Sequence, residues 1–175
     1  RGYCGTITSG KITKGDLITT LSLDHQTSIK NIYGPNGELS EAHSGQAVTL
    51  TLQDELDISR GDIIVSKDNK KIINADQFAA HIIWMDRESM LPERNYIFRF
   101  NNSFINGKIT DLVHGINVNS YEEVASKLLN LNDIAYCKVA INKMHGITSY
   151  ENNRQLGSFI IIDPYSNNTI GAGMI

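Results

Sequence analysis

The stretch that decides the fold is QAVTLTL, residues 46–52, in which an aliphatic side chain stands at every second position from Val48 to Leu52. Alternation of this kind places the apolar side chains on one face of an extended chain, so it predicts a half-buried β-strand. The same period recurs in YIFRF, residues 96–100, which puts three aromatic rings on one face. The pattern is typical of an all-β protein.

Other runs extend this pattern along the chain. GSFIII, residues 157–162, contains a continuous apolar run from Phe159 to Ile162, which predicts a strand buried on both sides. Turn signals separate the runs about every 8–12 residues, as in sandwiches and barrels. These signals are Ser9-Gly10, Gly34-Pro35-Asn36-Gly37, His43-Ser44-Gly45, Asn106-Gly107 and Ser166-Asn167-Asn168. Two further tight turns are predicted at Lys14-Gly15-Asp16 and Arg60-Gly61-Asp62. The second of these is identical to the Arg-Gly-Asp cell-adhesion motif, but a turn explains it better.

One stretch departs from the β pattern. In SYEEVASKLL, residues 120–129, Ser120 is followed three residues later by Glu123, which is the signature of a capping box. The sequence therefore predicts one short helix inserted in β structure. The apolar residues at helical spacing are Val124, Leu128 and Leu131.

The domain organisation follows from a polar, charged segment at residues 66–71, which lacks apolar periodicity. We expect two small antiparallel β-barrels in tandem, at residues 1–72 and 76–175, with the short helix in the second. Domains of this size have thin cores, so we expect them to pack on each other or on another body. Because the chain opens on strand-like residues without an initiator Met, we also expect it to be a piece of a longer protein.

Composition narrows the classes of partner. The 175 residues carry a net charge of −3, so no overall positive field favours nucleic acid. No apolar run approaches the roughly 20 residues that span a bilayer, so no membrane is expected. Cys4 and Cys137 stand alone in apolar surroundings; we expect both to be reduced and buried in a cytoplasmic protein, with a disulfide as the open alternative.

The motifs offer little chemistry. Asn106-Gly107-Lys108 lacks the first glycine of a phosphate-binding loop, so a hairpin turn explains it better. Asn142-Lys143-Met144-His145 resembles a guanine-binding motif, but His145 replaces its carboxylate. The five histidines show no metal-ligand spacing. A Ser-His-Asp catalytic site assembled from distant positions remains an alternative. The sequence contains no GxSxG motif that would identify its serine. The sequence thus predicts no catalytic, cofactor-binding or metal-binding residue.

The opening residues and several later motifs carry a resemblance to a known family. GTITSGKITKGD, residues 5–16, resembles the start of the second domain of elongation-factor-Tu-like GTPases. DELDISRGD at 54–62, IWM at 83–85, GSFIIID at 157–163 and NTIGAGMI at 168–175 narrow this to sulfate adenylyltransferase subunit 1, the GTPase subunit of bacterial ATP sulfurylase. The resemblance covers nearly the whole chain, except for residues 119–132 and 143–150.

The resemblance implies a division of labour. In this family a small catalytic subunit makes adenosine 5′-phosphosulfate from ATP and sulfate, and the large subunit hydrolyses GTP. GTP and magnesium would bind an N-terminal GTPase domain that this chain lacks, and the two barrels would pack against that domain and the small subunit. Tyr3, expected to be exposed, Asp57 and Arg60 are the predicted partner-interface residues. The alternatives are the second and third domains of a translation GTPase that binds aminoacyl-tRNA, and a free-standing interaction module.

Overall fold

The computed structural model describes residues 1–21 and 23–175, except for the side chains of residues 23 and 24. The chain forms two compact units, Arg1–Ile72 and Ile73–Ile175. Both are built of antiparallel strands, and the described residues include no helix, so the all-β class is confirmed. Accordingly, this part of the chain has no helix that could cross a membrane.

The first unit arranges five of its strands in the order β1-β7-β4-β3-β8. The short strand β5 pairs with β4 beside this path, and β2 pairs with β6 as a separate ribbon. The strands are β1 (Tyr3–Thr6), β2 (Lys11–Thr13), β3 (Leu17–Thr20), β4 (Leu23–Gly34), β5 (Gly37–Leu39), β6 (Glu41–His43), β7 (Ala47–Leu52) and β8 (Ile64–Ser66).

Strand β7 shows how the sequence pattern builds the first core. Val48, Leu50 and Leu52 are buried while the residues between them are not, as predicted. The basic-Gly-Asp turns are also confirmed, since Gly15 and Gly61 have φ values of 88° and 99°. The Asp16 carboxylate accepts hydrogen bonds from the backbone N–H and hydroxyl of Thr13, both at 2.7 Å.

The second unit closes its sheet. Its strands run β10-β14-β15-β9-β13-β11, and an additional pairing of β10 with β11 closes a six-stranded barrel. The two-residue strand β12 pairs with the end of β11. The strands are β9 (Ile73–Trp84), β10 (Asn95–Phe100), β11 (Ser103–Ile116), β12 (Glu123–Val124), β13 (Ile134–Ile147), β14 (Ser158–Ile162) and β15 (Thr169–Met174).

Aromatic rings fill the barrel. Tyr96, Phe98 and Phe100 point inward from β10, as predicted. The ring of Phe159 lies 5.6 Å from that of Phe98 and 5.3 Å from that of Phe100. A Cβ atom at Gly173 would lie 2.2 Å from Phe159 Cζ, so only glycine leaves room for this ring. Rings packed at such distances contribute attraction beyond their burial.

The predicted helix at residues 120–129 is wrong. The Asn117 side chain accepts hydrogen bonds from the backbone N–H groups of Asn119 and Ser120, which holds a turn where a first helical turn would start. Tyr121 then has φ 60°, outside the helical region. Glu123 joins β12 instead of capping a helix. A helix this short needs a packed apolar face, and tertiary strand pairing outweighs the local preference.

The predicted hairpin turn at Asn106-Gly107 is also wrong, because both residues lie inside β11. The turn between β10 and β11 falls at Asn101, whose φ is 46°. Gly107 stands opposite Tyr96 and Ile141, and a Cβ atom there would lie 2.6 Å from the Ala140 carbonyl oxygen. Glycine is therefore required by close strand packing and not by a turn.

Candidate interaction surfaces

Tyr3 does not lie on the surface, so its expected exposure is wrong. Its side chain is buried, and its hydroxyl donates a hydrogen bond to the Leu56 carbonyl at 2.8 Å and accepts one from the Leu56 N–H at 2.9 Å. This pair of bonds ties β1 to a segment more than fifty residues away. Tyr3 therefore anchors the loop that follows β7 and does not itself offer a contact surface.

That loop, residues 53–62, is fixed by polar side chains near both ends. The Thr27 hydroxyl donates to Asp54 Oδ2 at 2.9 Å and accepts from the Asp54 N–H at 3.0 Å. The Asp62 carboxylate accepts from the Ser59 N–H at 2.8 Å. Asp57 and Arg60 lie between these bonds, and both are exposed. The loop thus displays two of the three predicted interface residues on a defined backbone.

A groove on the outside of the barrel was not predicted. It encloses about 710 Å³ and runs across five adjacent strands. One row of outward side chains, set by the strand register, forms much of its floor: Arg99, Ile160, Ala172, Ile83 and Ile134. Tyr150 and Gln155, from the segment between β13 and β14, line the groove as well. Four of the five floor residues are apolar, so the groove suits an apolar ligand or protein surface.

The charged side chains that line the groove in the described part of the chain are basic. Arg99 lies in its lining, and its Nε donates to the Asn101 carbonyl at 3.3 Å while its guanidinium sits 5.2 Å from the Phe104 ring centre. His81 lines the groove too, with its ring 4.9 Å from that of Tyr136. No lining residue is acidic among the described residues. The groove can therefore hold an apolar group that carries a negative charge.

The cysteines are both free, as predicted, but only one of them is buried. Cys137 lies in the barrel core, where burial, reinforced by the Asp111 charge, raises its pKa to about 12. A thiol with so high a pKa is a poor nucleophile. Cys4 is exposed, contrary to expectation, and its Sγ lies 3.3 Å from Thr49 Oγ1.

The motif at residues 142–145 lies in an irregular part of β13, where the pairing with β9 shifts between Ala140 and His145. The His145 ring rests 4.9 Å from that of Phe100. Burial, together with the nearby Lys143 charge, lowers the pKa of His145. The His145 ring therefore packs against the barrel core as a structural side chain.

Of the ion pairs between described residues, the most buried one joins two barrel loops. Arg94 Nη2 lies 2.6 Å from Asp163 Oδ1, and the Asp163 carboxylate also accepts hydrogen bonds from the N–H and hydroxyl of Ser166, each at 2.9 Å. These hydrogen bonds, followed by the Arg94 charge, lower the pKa of Asp163. Among the described residues, no group of three or more His, Cys, Asp and Glu side chains is placed to hold a metal ion.

Known proteins resemble this chain in both sequence and fold. Residues 77–175 match the family described as GTP-eEF1A C-terminal domain-like. All 175 residues align with sulfate adenylyltransferase subunit 1 of Pseudoalteromonas atlantica at 41% identity and with the bifunctional enzyme NodQ of Rhizobium meliloti at 40% identity. The chain spans 37% and 27% of the length of these two proteins.

A solved structure supports the fold independently. The structure of sup35 complexed with GDP superposes with a TM-score of 0.86 over 99% of this chain and 43% of that chain, at 16% identity. An identity this low shows the fold alone. The matched family covers more than half of the chain. This chain therefore belongs to the GTP-eEF1A C-terminal domain-like family.

Proposed function

We propose that the chain is the β portion of the large, GTPase subunit of a sulfate adenylyltransferase. That subunit couples GTP hydrolysis to the synthesis of adenosine 5′-phosphosulfate from ATP and sulfate. The observation that carries this proposal is the 41% identity to a sulfate adenylyltransferase subunit 1 over all 175 residues. The two units act as a scaffold and contact surface, and the reacting groups belong to other parts of the enzyme.

In this enzyme the cofactors bind outside the two β units. GTP and magnesium bind an N-terminal GTPase domain, since the sequence contains no phosphate-binding loop. The raised pKa of Cys137 makes its thiol a poor nucleophile, which supports a structural role for this side chain. The enzyme acts in the cytoplasm, where its nucleotide substrates are made.

The partners are the small catalytic subunit and the GTPase domain of the same protein. We assign the 53–62 loop to the small subunit because its backbone is fixed while Asp57 and Arg60 remain exposed. Charges at an interface rim act mainly on association rate. Arg60→Glu in the full-length protein should therefore slow association with the small subunit several-fold at low salt. An unchanged association rate would remove this loop from the interface.

The direct test of the function has two arms. The 175-residue chain alone should show no heat of GTP binding by calorimetry, whereas tight nucleotide binding would refute the assignment. The full-length protein, mixed with the small subunit, should form adenosine 5′-phosphosulfate from ATP and sulfate at a rate that GTP increases. Failure of that stimulation would contradict the role as a GTPase subunit.

The translation-factor alternative has less support. Aminoacyl-tRNA would require a basic surface, and the chain has a net charge of −3. The 16% identity to sup35 is far below the 41% identity to the sulfate adenylyltransferase subunit. Binding of aminoacyl-tRNA that weakens steeply with salt would restore this alternative.

A further inference from the structure

The chain contains two Asn-Gly pairs that the proposed function leaves unused, and the structure places them differently. Asn36-Gly37 lies at the turn between β4 and β5, whereas Asn106-Gly107 lies inside β11. Asparagine is a thermolabile residue, and a glycine after it leaves room for the side-chain amide to react with the next backbone nitrogen. The two pairs share this chemistry, so their surroundings decide which of them reacts.

The pair at the turn is exposed. Pro35 and Asn36 form the tip of the hairpin, and Asn36 and Gly37 are both exposed. Apart from its chain neighbours, nothing lies within 4 Å of the Cβ position of Gly37, whose φ is 120°. Water and hydroxide can therefore reach the side-chain amide of Asn36 and the backbone of Gly37.

Few strand pairings hold the backbone at this turn. In the described part of the chain, β5 pairs with β4 alone, beside the main path of the sheet. Its three pairs end at Gly34 and Gly37, which close the hairpin. The last pair of a short hairpin opens at a small cost in free energy, and its opening lets the Gly37 nitrogen approach the Asn36 side chain.

The pair inside β11 is enclosed by its neighbours. Gly107 is buried, and a Cβ atom there would lie 2.6 Å from the Ala140 carbonyl oxygen. It is paired with Tyr96 on one side and with Ile141 on the other, so its N–H belongs to a two-sided ladder. Moving this nitrogen toward the Asn106 side chain requires the barrel to open, which costs far more than the fraying of a turn.

We propose that Asn36 is a site of spontaneous deamidation in the folded protein. The Gly37 nitrogen loses its proton to hydroxide and bonds to Asn36 Cγ, and ammonia leaves with a proton from water, so that a succinimide ring forms. Water then opens the ring. Opening at Cγ gives aspartate, and opening at the backbone carbonyl of residue 36 gives isoaspartate, in which the main chain runs through Cβ and Cγ. The net reaction consumes water and releases ammonia, with no oxidation or reduction.

The product changes the turn in both charge and length. Either form carries a carboxylate two residues from Glu38, which pairs with Lys14. Isoaspartate also adds a methylene group to the main chain of the turn, which disturbs the pairing of Gly34 with Gly37. Leu39, at the other end of β5, packs against the core of the first unit. We therefore expect isoaspartate to loosen β5 and to speed its amide hydrogen exchange.

The experiment incubates the full-length protein at mildly alkaline pH, folded or in guanidinium chloride, and measures isoaspartate at both positions by peptide mass spectrometry. In the folded protein we expect at least about tenfold more isoaspartate at position 36 than at position 106, because the second site requires opening of the barrel. In guanidinium chloride, where neither pair is protected, the two positions should react at similar rates. Asn36→Gln is the control variant, and its β5 exchange should stay constant over the same incubation.

Three results would overturn the inference. Equal rates at the two positions in the folded protein would show that the barrel protects its pair no better than the turn does. Reaction at position 36 in guanidinium chloride but not in the folded protein would show that the turn protects Asn36. A difference that persists unchanged in guanidinium chloride would show that the neighbouring sequence, and not the fold, sets the rates. None of these results involves GTP or the small subunit, so each leaves the proposed function intact.

Discussion

The two units solve the problem of a small β domain in different ways. The second closes six of its strands into a barrel around seventeen buried residues, five of them aromatic. The first leaves β1 and β8 at the ends of its described hydrogen-bonded path and buries nine residues in its main cluster. It adds polar clasps, in which the side chains of Tyr3, Thr27 and Asp16 bind backbone groups of other segments or turns.

The difference indicates where each unit is vulnerable. A closed barrel with interlocking rings is sensitive to changes of volume, because its neighbours cannot move apart independently. A unit with a smaller core is sensitive to the loss of single hydrogen bonds, because each clasp is a larger share of its stability. Trp84, the one tryptophan of the chain, lies in the barrel, so its fluorescence follows unfolding of the second unit.

The largest expected effect is that of Phe159→Ala. The ring is buried and packs on Phe78, Phe98 and Phe100, so its removal leaves a cavity that these rings cannot fill. We expect the barrel to lose about 3–5 kcal/mol of unfolding free energy. Urea unfolding followed by Trp84 fluorescence measures this. Phe104→Ala, which removes a ring that is 63% exposed, is the control and should cost less than about 1 kcal/mol.

Gly107→Ala should have the next largest effect. The added methyl would lie 2.6 Å from the Ala140 carbonyl oxygen, so β11 and β13 must separate. We expect a loss of about 2–3 kcal/mol in the same measurement. Gly5→Ala in the first unit is the matched control, because nothing lies within 4 Å of its Cβ position. Its effect is measured by amide hydrogen exchange in β7, since Trp84 follows the second unit only. Equal effects of the two substitutions would show that the barrel is not the more tightly packed unit.

Tyr3→Phe tests the polar clasps of the first unit. The substitution keeps the ring but leaves the Leu56 N–H without its partner, while the Leu56 carbonyl retains a bond from the Ile58 N–H at 3.1 Å. We expect a loss of about 1–2 kcal/mol, visible as faster amide hydrogen exchange in β7. Tyr33→Phe, which alters a more exposed hydroxyl, should change exchange little. No change in Tyr3→Phe would contradict the importance of the clasp.

Local patterns predicted the parts of the fold that depend on neighbouring residues alone. The alternation of apolar residues in β7 and β10 predicts which face of each strand is buried. The glycines at positions 15 and 61 predict turns with a positive φ. Residues 120–129 satisfy a helical pattern just as well. They form no helix, because Asn117 fixes a turn and β11 supplies a strand partner, and neither fact is written in the segment.

The candidate surfaces were harder to predict because distant partners define them. Tyr3 is buried by a loop 53 residues away, so its neighbours in sequence could not indicate its burial. The sequence does contain an indication of the groove, in the apolar run that ends β14. The apolar run at 157–162 predicted a strand buried on both sides, whereas Ile160 points outward and is only half-buried. An apolar outward face on an antiparallel barrel is the mark of a groove or contact surface.

The smallest expected effect is a pH dependence confined to the barrel. Burial raises the pKa of Cys137 from its ordinary value of 9.0 to about 12, so the folded barrel keeps a proton that the unfolded chain loses. The contribution is complete below pH 9 and is lost progressively as the pH rises from 9 toward 12. At pH 10 the loss should be about 1.4 kcal/mol. The measurement is the difference in unfolding free energy between pH 8 and pH 10, which should shrink in Cys137→Ala.

Cys4→Ala, which removes an exposed thiol from the first unit, should leave the pH dependence of Trp84-detected unfolding unchanged. An equal shift in both variants would mean that the barrel does not shield its thiol more than the first unit shields Cys4.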